Sequence, residues 1–156
     1  FSAIQGYRIA HRAWEAGERA YALWLQSRCS QQFGVDIHPA AVIGPAVIID
    51  HATGVVVGET AVIGDNVYLM HDVTLGATGT SDGHDRHPKI GNGVFLGAKC
   101  TVLGNITIGQ GATVAASALV NKPVPAGYTA VGVPAKLIPP KENQSSAESL
   151  DLGLAK

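Results

Sequence analysis

A repeat of six residues runs through the middle of the chain and constrains its fold more than any other feature. Counting forward by six from Ile90 reaches an aliphatic residue at every step as far as Val120. The same count holds in two shorter blocks upstream. Thirteen repeat positions are therefore aliphatic: Ile37, Ile43, Ile49, Val57, Ile63, Leu69, Leu75, Ile90, Leu96, Val102, Ile108, Val114 and Val120. This pattern, from about residue 36 to residue 134, indicates an architecture built from one repeated unit.

A six-residue period predicts a mainly β fold, a β-helix in which short strands joined by tight turns stack coil upon coil. The aliphatic residue of each unit faces the core, and successive coils lie about 4.8 Å apart, as strands do in a sheet. Glycine follows many of the repeat positions and permits turns that a side chain would resist. The chain has 19 glycines among 156 residues and only 15% charged residues, which suits such a stack.

Composition divides the chain into three zones. Residues 1–34 are predicted to form an N-terminal helical segment, in which apolar residues recur near every 3.5 positions: Ile4, Tyr7, Trp14, Tyr21, Trp24 and Leu25. Residues 35–138 are predicted to form the β-helix domain, and the polar residues 139–156 a flexible C-terminal tail. Phe1 is not a natural start, so we expect the sequence to be a fragment of a longer chain.

Charge and cysteine content argue against several classes of protein. Eleven basic and twelve acidic residues give a net charge of −1, which argues against nucleic-acid binding and against a polybasic membrane anchor. No apolar run approaches the roughly 18 residues of a membrane span. Cys29 and Cys100 are far apart and form no CxxC, which favours two free thiols in a cytoplasmic protein over a disulfide between them.

The repeat is interrupted twice, and the interruptions carry three of the six histidines. Two extra residues fall within 50–54, which contains His51, and nine fall within 77–88, which contains His84 and His87. Loops on rigid scaffolds are where function concentrates, so we expect the functional site at these two interruptions.

Five motifs in and around these interruptions resemble those of the serine O-acetyltransferase family: Asp36-Ile37-His38-Pro39, Asp50-His51-Ala52-Thr53-Gly54, Gly58-Glu59-Thr60, Val73-Thr74-Leu75-Gly76 and Asp85-Arg86-His87-Pro88-Lys89. The resemblance covers nearly the whole chain up to Lys136 and ends in Gly132-Val133-Pro134-Ala135-Lys136. It implies a left-handed parallel β-helix and transfer of acetyl from acetyl-CoA to the hydroxyl of L-serine. The product would be O-acetyl-L-serine for cysteine biosynthesis, and no metal is implied.

His51 is the candidate general base. A serine hydroxyl attacks a thioester well only when a positioned base removes its proton, and histidine suits that role near neutral pH. A carboxylate must then fix the tautomer of the ring, as the aspartate does in a Ser-His-Asp catalytic triad. Asp36 lies fifteen residues upstream, within one coil of about eighteen, and the resemblance supports pairing it with His51. His51 could instead be a turn or core histidine, and Asp36 a turn or cap residue.

A free amino acid also needs its charged ends recognised. Arg86 offers a planar fork for a carboxylate, and Asp50 can accept an ammonium group. The resemblance assigns these roles to them, with His87 beside Arg86. An exposed arginine and a solvated aspartate are the ordinary alternatives. His38 and His84 are expected to be structural or solvent-facing, and His71 a surface residue.

The resemblance also places acetyl-CoA along the stacked coils. Small residues there would let an extended pantetheine arm bond the backbone, and a lysine would meet a CoA phosphate. The positions that match are Ala77, Thr78, Gly79, Ala98, Ala116 and Lys136. Three departures from the family stand out. Ala77 replaces a common glycine, and His84 is inserted before Asp85. The family's upstream helical region, which carries another serine-contacting acid and drives trimer pairing, would precede Phe1.

Other functions fit parts of the pattern. A related hexapeptide O-acetyltransferase acting on a sugar or antibiotic hydroxyl would share the coils and the base, but a neutral acceptor needs no Arg86. A zinc-dependent carbonic anhydrase on the same scaffold would need three converging histidines. A purely structural solenoid would leave the two interruptions unexplained.

The resemblance further implies a homotrimer, a dimer of trimers in the longer protein, with sites between adjacent β-helices. It implies feedback inhibition by L-cysteine at the serine site. A complex with cysteine synthase is doubtful, because the family's docking tail ends in isoleucine and this chain ends in Gly153-Leu154-Ala155-Lys156.

Overall fold

A computed structural model describes residues 2–79 and 84–140 of the chain. It begins with two helices, α1 (Ser2–Glu15) and α2 (Arg19–Phe33). Gly17, at φ 84°, lies in the turn between them, and Gly34 ends α2 at φ 64°, a left-handed conformation that glycine adopts without strain. The amide of Gly34 donates to the carbonyl of Ser30 and closes the last turn.

The apolar stripe predicted for the helical segment is only partly buried. Tyr7 is buried and its hydroxyl donates to the carbonyl of Ala41, which fixes α1 on the first coil. Tyr21 and Trp24, which belong to that stripe, are exposed and stack on each other with ring centroids 5.9 Å apart. The reason is that α2 buries its small Ala22 and so turns its aromatic side chains outward.

Fifteen short strands follow within the described residues. They are β1 (Asp36–Ile37), β2 (Val42–Ile43), β3 (Ile48–Ile49), β4 (Val56–Val57), β5 (Val62–Ile63), β6 (Tyr68–Leu69), β7 (Thr74–Gly76), β8 (Lys89–Ile90), β9 (Phe95–Leu96), β10 (Thr101–Leu103), β11 (Thr107–Ile108), β12 (Thr113–Val114), β13 (Leu119–Val120), β14 (Thr129–Val131) and β15 (Lys136–Ile138).

The strands form three sheets that the chain visits in turn, which makes a parallel β-helix. Sheet A has the order β1-β4-β7-β10-β13, sheet B the order β11-β8-β5-β2, and sheet C the order β15-β14-β12-β9-β6-β3. All pairings are parallel except that of β14 with β15, which closes the last coil. Val57 pairs with Leu75, eighteen residues later, as the six-residue count predicts for three sides.

The predicted repeat positions form the core. Twelve of the thirteen are buried, and Ile49, which directly precedes the first interruption, is half-buried. Stacking is close enough to demand glycine at the turns: a Cβ on Gly97 would lie 2.6 Å from the amide nitrogen of Ala116 in the next coil. Aliphatic burial inside and backbone contact between coils therefore hold the stack together.

The turns between sheets stack into three edges, and two of them carry the candidate site. The A–B corner comprises residues 38–41, 58–61, 77–88 and 104–106, and the C–A corner residues 50–55, 70–73, 97–100 and 115–118. The first interruption lies in the C–A corner and the second in the A–B corner, with sheet A between them. Residues 80–83 of the second interruption lie outside the described residues.

Three further expectations concern the whole chain. Both cysteines are free thiols, and burial raises the pKa of Cys100 to about 12. No helix among the described residues is long and apolar enough to cross a membrane. The division into residues 1–34, 35–138 and 139–156 stays a prediction, and most of the tail, residues 141–156, lies outside the described residues.

Candidate active site

Arg86 is held at the A–B corner by two contacts. Its Nη2 donates to Oε2 of Glu59 at 2.7 Å, and its Nη1 donates to the carbonyl of His84 at 3.3 Å. The hydrogen bond from Arg86 lowers the pKa of Glu59, so the carboxylate stays charged beside the guanidinium. Glu59 therefore orients the arginine fork and leaves its other N–H groups available to an anion.

His87 lies directly behind Arg86 and is buried, with 6% of its surface exposed. Its ring packs on Gly58, where a Cβ would overlap Cδ2 and Nε2. Thr60 contacts Nδ1 through its amide at 3.2 Å and through its hydroxyl at 2.9 Å. Burial, followed by the nearby positive charge of Arg86, lowers the pKa of His87 and favours the neutral ring.

Lys89 braces the loop that carries these two residues. Its ammonium donates to Oδ1 of Asp85 at 2.6 Å, to the carbonyl of His87 at 2.7 Å and to the carbonyl of Thr60 at 2.9 Å. All three of its donors are therefore used within the corner. The hydrogen bond from Lys89 lowers the pKa of Asp85. The end of the loop is thus tied to the coil above it.

His51 lies at the C–A corner with its ring in solvent. Its backbone is left-handed at φ 58°, and 74% of its side chain is exposed. Its Nε2 is 3.8 Å from Oδ1 of Asp50, whose Oδ2 accepts a hydrogen bond from the hydroxyl of Tyr68 at 2.8 Å. The ring is thus accessible to a partner arriving from outside the chain.

His71 lies one coil below His51, and its position corrects the expectation of a simple surface residue. It is half-buried, and its ring stands edge-on to that of His51 with centroids 6.1 Å apart. Its Nδ1 is buried, and no residue in the described part of the chain bonds to it. The close stacking of coils at this corner removes that atom from solvent.

Asp36 has a partner other than the one predicted. Its Oδ1 accepts a hydrogen bond from Nε2 of Gln26 on α2 at 2.6 Å. No hydrogen bond or ion pair joins Asp36 to His51 in the described ranges, although both lie at the C–A side of sheet A. Their pairing stays a prediction.

The residues predicted to hold acetyl-CoA lie in three places. Ala77, Thr78 and Gly79 begin the loop of the A–B corner. Ala98 and Ala116 lie one above the other at the C–A corner, where the amide of Ser117 donates to the carbonyl of Ala98 at 2.8 Å. Lys136 is exposed on β15. The two corners thus each hold part of the predicted cofactor set.

The structure therefore separates the predicted site into two halves. One half has His51 and Asp50, and the other has Arg86 and His87, with the width of sheet A between them. In residues 2–79 and 84–140 no three His, Cys, Asp or Glu side chains converge as a metal site would require. The three histidines needed by a carbonic anhydrase are accordingly not brought together there.

Sequence reasoning missed several residues that shape these halves. Glu59, Thr60 and Lys89 belong to the quoted motifs without an assigned role, and Gln26 and Tyr68 lie outside those motifs. His38, expected to be structural or solvent-facing, is half-buried, and burial lowers its pKa while Glu59 opposes the shift. For Glu59 and Thr60 the sequence signal is a polar residue at a corner, whereas Gln26 on α2 and Tyr68 on β6 carry no such signal.

Comparison with known proteins agrees with this architecture. The family described as bacterial transferase hexapeptide (six repeats) matches residues 87–122. Serine acetyltransferase 2 of Arabidopsis thaliana is 58% identical over 144 residues, which are 92% of this chain and 44% of that protein. The chain spans about half the length of the curated relatives it matches.

Solved structures give the same result. Serine acetyltransferase of Brucella abortus strain S19, in complex with coenzyme A, is 51% identical with a TM-score of 0.87, covering 91% of this chain and 56% of that one. Soybean serine acetyltransferase complexed with serine is 58% identical with a TM-score of 0.85, covering 87% and 56%. The prediction of a left-handed parallel β-helix with an N-terminal helical segment is confirmed. The chain is thus a homologue of the serine acetyltransferases that carries their hexapeptide β-helix and spans about half of their length.

Proposed function

We propose that this chain carries the acetyl-transfer activity of a serine O-acetyltransferase. It would move acetyl from acetyl-CoA to the hydroxyl of L-serine, giving O-acetyl-L-serine for cysteine biosynthesis. The observation that carries the proposal is the corner in which Glu59 holds Arg86 beside the buried His87. A fixed guanidinium fork suits the carboxylate of an amino acid and has no purpose toward a neutral sugar.

His51 is proposed as the general base. Its exposed ring would take the proton from the serine hydroxyl while the oxygen attacks the carbonyl carbon of the thioester. Collapse of the tetrahedral intermediate breaks the C–S bond, and the imidazolium returns the proton to the departing thiolate of CoA. Asp36 would fix the tautomer of His51 and stabilise the imidazolium, once the ring turns from Asp50 toward the side of sheet A that bears Asp36.

The acceptor would be held by its two charged ends. Arg86 would bond the carboxylate, and His87 would add a second donor beside it. Asp50 would receive the ammonium group, since Tyr68 already aligns its carboxylate from the next coil. Small residues along the corners, Ala77, Thr78, Gly79, Ala98 and Ala116, would admit the pantetheine arm, and Lys136 would meet a phosphate.

The two halves would combine only when copies of the chain assemble. Sheet A separates His51 from Arg86 within one chain, so a complete site needs the C–A corner of one copy to face the A–B corner of another. Such a heterologous contact closes into a ring, and a homotrimer is the assembly we propose. L-cysteine, which has the same charged ends as serine, would inhibit by occupying the same site, and the cytoplasm is the proposed location.

A comparison of acceptors tests this function. CoA release from acetyl-CoA would be followed with L-serine, with serine amide and with a panel of sugar hydroxyls. L-serine should react, and Arg86→Ala should raise its KM by roughly 10- to 150-fold, because a charge-assisted bond is worth about 1.5–3 kcal/mol. Arg28→Ala, which removes an exposed arginine on α2, is the matched control. Equal rates with serine and its amide would refute the carboxylate clamp and favour a neutral acceptor.

A further inference from the structure

Thr60 makes four contacts with the Arg86–His87 segment, three through its hydroxyl and one through its backbone amide. The hydroxyl accepts the amide N–H of Arg86 at 3.0 Å and that of His87 at 3.1 Å. It also lies 2.9 Å from Nδ1 of the His87 ring, to which the amide of Thr60 itself points at 3.2 Å. One half-buried threonine thus touches the backbone and the ring of a segment 26 to 27 residues away.

These contacts fix the tautomer of His87. The amide of Thr60 can only donate, so Nδ1 must present its lone pair and carry no hydrogen. The hydroxyl has one hydrogen and two lone pairs; with both lone pairs taken by backbone N–H groups, its hydrogen is shared between Nδ1 and the carboxylate of Asp85, to which the Thr60 side chain also bonds. The neutral ring therefore carries its hydrogen on Nε2.

The same contacts remove His87 from acid–base chemistry. A neutral imidazole has one basic nitrogen, and in His87 the lone pair of that nitrogen already accepts the amide N–H of Thr60, with the Thr60 hydroxyl 2.9 Å away. The ring also cannot move toward the coil above, because Gly58 fills the space on that side with backbone. Of the two histidines predicted to act on serine, only His51 has its ring free to accept a proton.

We propose that Thr60 is a positioning residue of the acceptor site. It donates a hydrogen bond to Nδ1 of His87 and accepts hydrogen bonds from the backbone N–H groups of Arg86 and His87. His87 therefore acts as a fixed Nε2–H donor and never as the base. The inference rests on the proposed function for its substrate, an amino acid carboxylate. The tautomer of His87 and the hydrogen bonds that hold its backbone are properties of the free chain.

Histidine-selective ¹⁵N NMR of the full chain tests the tautomer directly, with the His87 signals assigned by their loss in His87→Gln. Nδ1 should be the unprotonated nitrogen and Nε2 the protonated one. The charged and titratable groups that act on His87 are Arg86, Glu59, Lys89 and His38, and none of them is changed in the variants below. Detection of hydrogen on Nδ1 in the unmodified neutral protein would overturn the proposal.

Three variants test the positioning. Thr60→Val keeps the shape and the amide but removes the hydroxyl, so His87 should gain a proton at higher pH than in the unmodified protein, because a bond that favoured the neutral ring is lost. Its KM for serine should rise on the order of tenfold with kcat nearly unchanged, the sign of lost ground-state binding. Thr60→Ser restores the hydroxyl and should restore both values. Thr113→Val makes the same change in sheet C and should alter neither.

The outcomes separate this inference from the proposed function. A Thr60→Val protein with unchanged titration of His87 and unchanged KM for serine would overturn the inference. If Thr60→Val does not fold, the tautomer in the unmodified protein and the recovery in Thr60→Ser decide it. A chain that fails to acetylate serine, yet shows the expected tautomer and its shift in Thr60→Val, would refute the proposed function and leave the role of Thr60 in place.

Discussion

Replacing Gly58 with alanine should destabilise the protein because the new methyl group has no space. Its Cβ would overlap Cδ2 and Nε2 of His87, which is buried and held from its other side by Thr60. The backbone of Gly58 is not left-handed, so the substitution carries no conformational strain of its own. Any loss of stability therefore comes from the contact with the ring.

The size of the loss follows from what the ring must give up. Overpacking a tight site costs about 1–3 kcal/mol, and a displaced ring leaves the amide of Thr60 without its acceptor, which costs about 1–3 kcal/mol more. Loss of unfolded-chain freedom on replacing glycine gives back up to about 1 kcal/mol. We expect a net loss of about 1–6 kcal/mol in the free energy of unfolding.

A double-mutant cycle identifies the ring as the cause. Urea unfolding at one protein concentration would compare Gly58→Ala in the unmodified chain and in a His87→Ala background. In the second background the ring is gone, and the cost should fall below about 0.5 kcal/mol, the usual scatter of additive pairs. The same cost in both backgrounds would refute the reasoning, since the methyl group would then be clashing with something other than His87.

Three other outcomes are expected. His51→Ala should lower turnover roughly 10²–10⁴-fold and leave acetyl-CoA binding intact, as rates of CoA release and calorimetry would show; unaltered turnover would exclude it as the base. Gln26→Glu puts a second carboxylate against Asp36 and should shift the acid limb of the pH profile of kcat/KM to higher pH. The control Gln32→Glu, an exposed position on the same helix, should shift that limb less. Because the pKa of the half-buried His38 is lowered in the folded protein, the unfolded chain binds a proton at this residue at higher pH than the folded chain does. Stability should therefore fall as the pH drops below 6.5, the ordinary pKa of histidine. In His38→Gln the melting temperature should fall less steeply over that range.

The sequence was enough to predict the scaffold because the scaffold is periodic. Each repeat position, such as Leu69 or Val102, meets the same environment in every coil, so one rule predicts the burial of all of them. Ile49 departs from full burial because the chain leaves phase directly after it. The exposure of Tyr21 and Trp24 on α2 was not predictable. The spacing of apolar residues shows that a helix has an apolar face, but it does not show which part of the protein packs against that face.

The candidate site residues stay a prediction, and their contacts could not be predicted from the sequence. The two interruptions coincide with corners that carry polar side chains, Asp50 and His51 in one and Arg86 in the other. The contact of Thr60 with His87 joins residues on either side of an interruption. The six-residue repeat does not predict the conformation of that interruption, and it therefore does not predict the contact. The partner of Asp36 comes from a helix, which has a different period altogether.

The register of the coils survives both interruptions, and this has an evolutionary consequence. Ile37 pairs with Val57 across twenty residues and Leu75 with Val102 across twenty-seven, yet each pair is as well aligned as Val57 and Leu75 across eighteen. The added residues leave the stack at a corner and return to it, so the pairing of the strands before and after them is unchanged. Insertions and deletions there are neutral to the scaffold, whereas a single insertion within a strand would turn core side chains outward. Selection can therefore lengthen, shorten or rewrite the acceptor loop while the supporting coils stay unchanged.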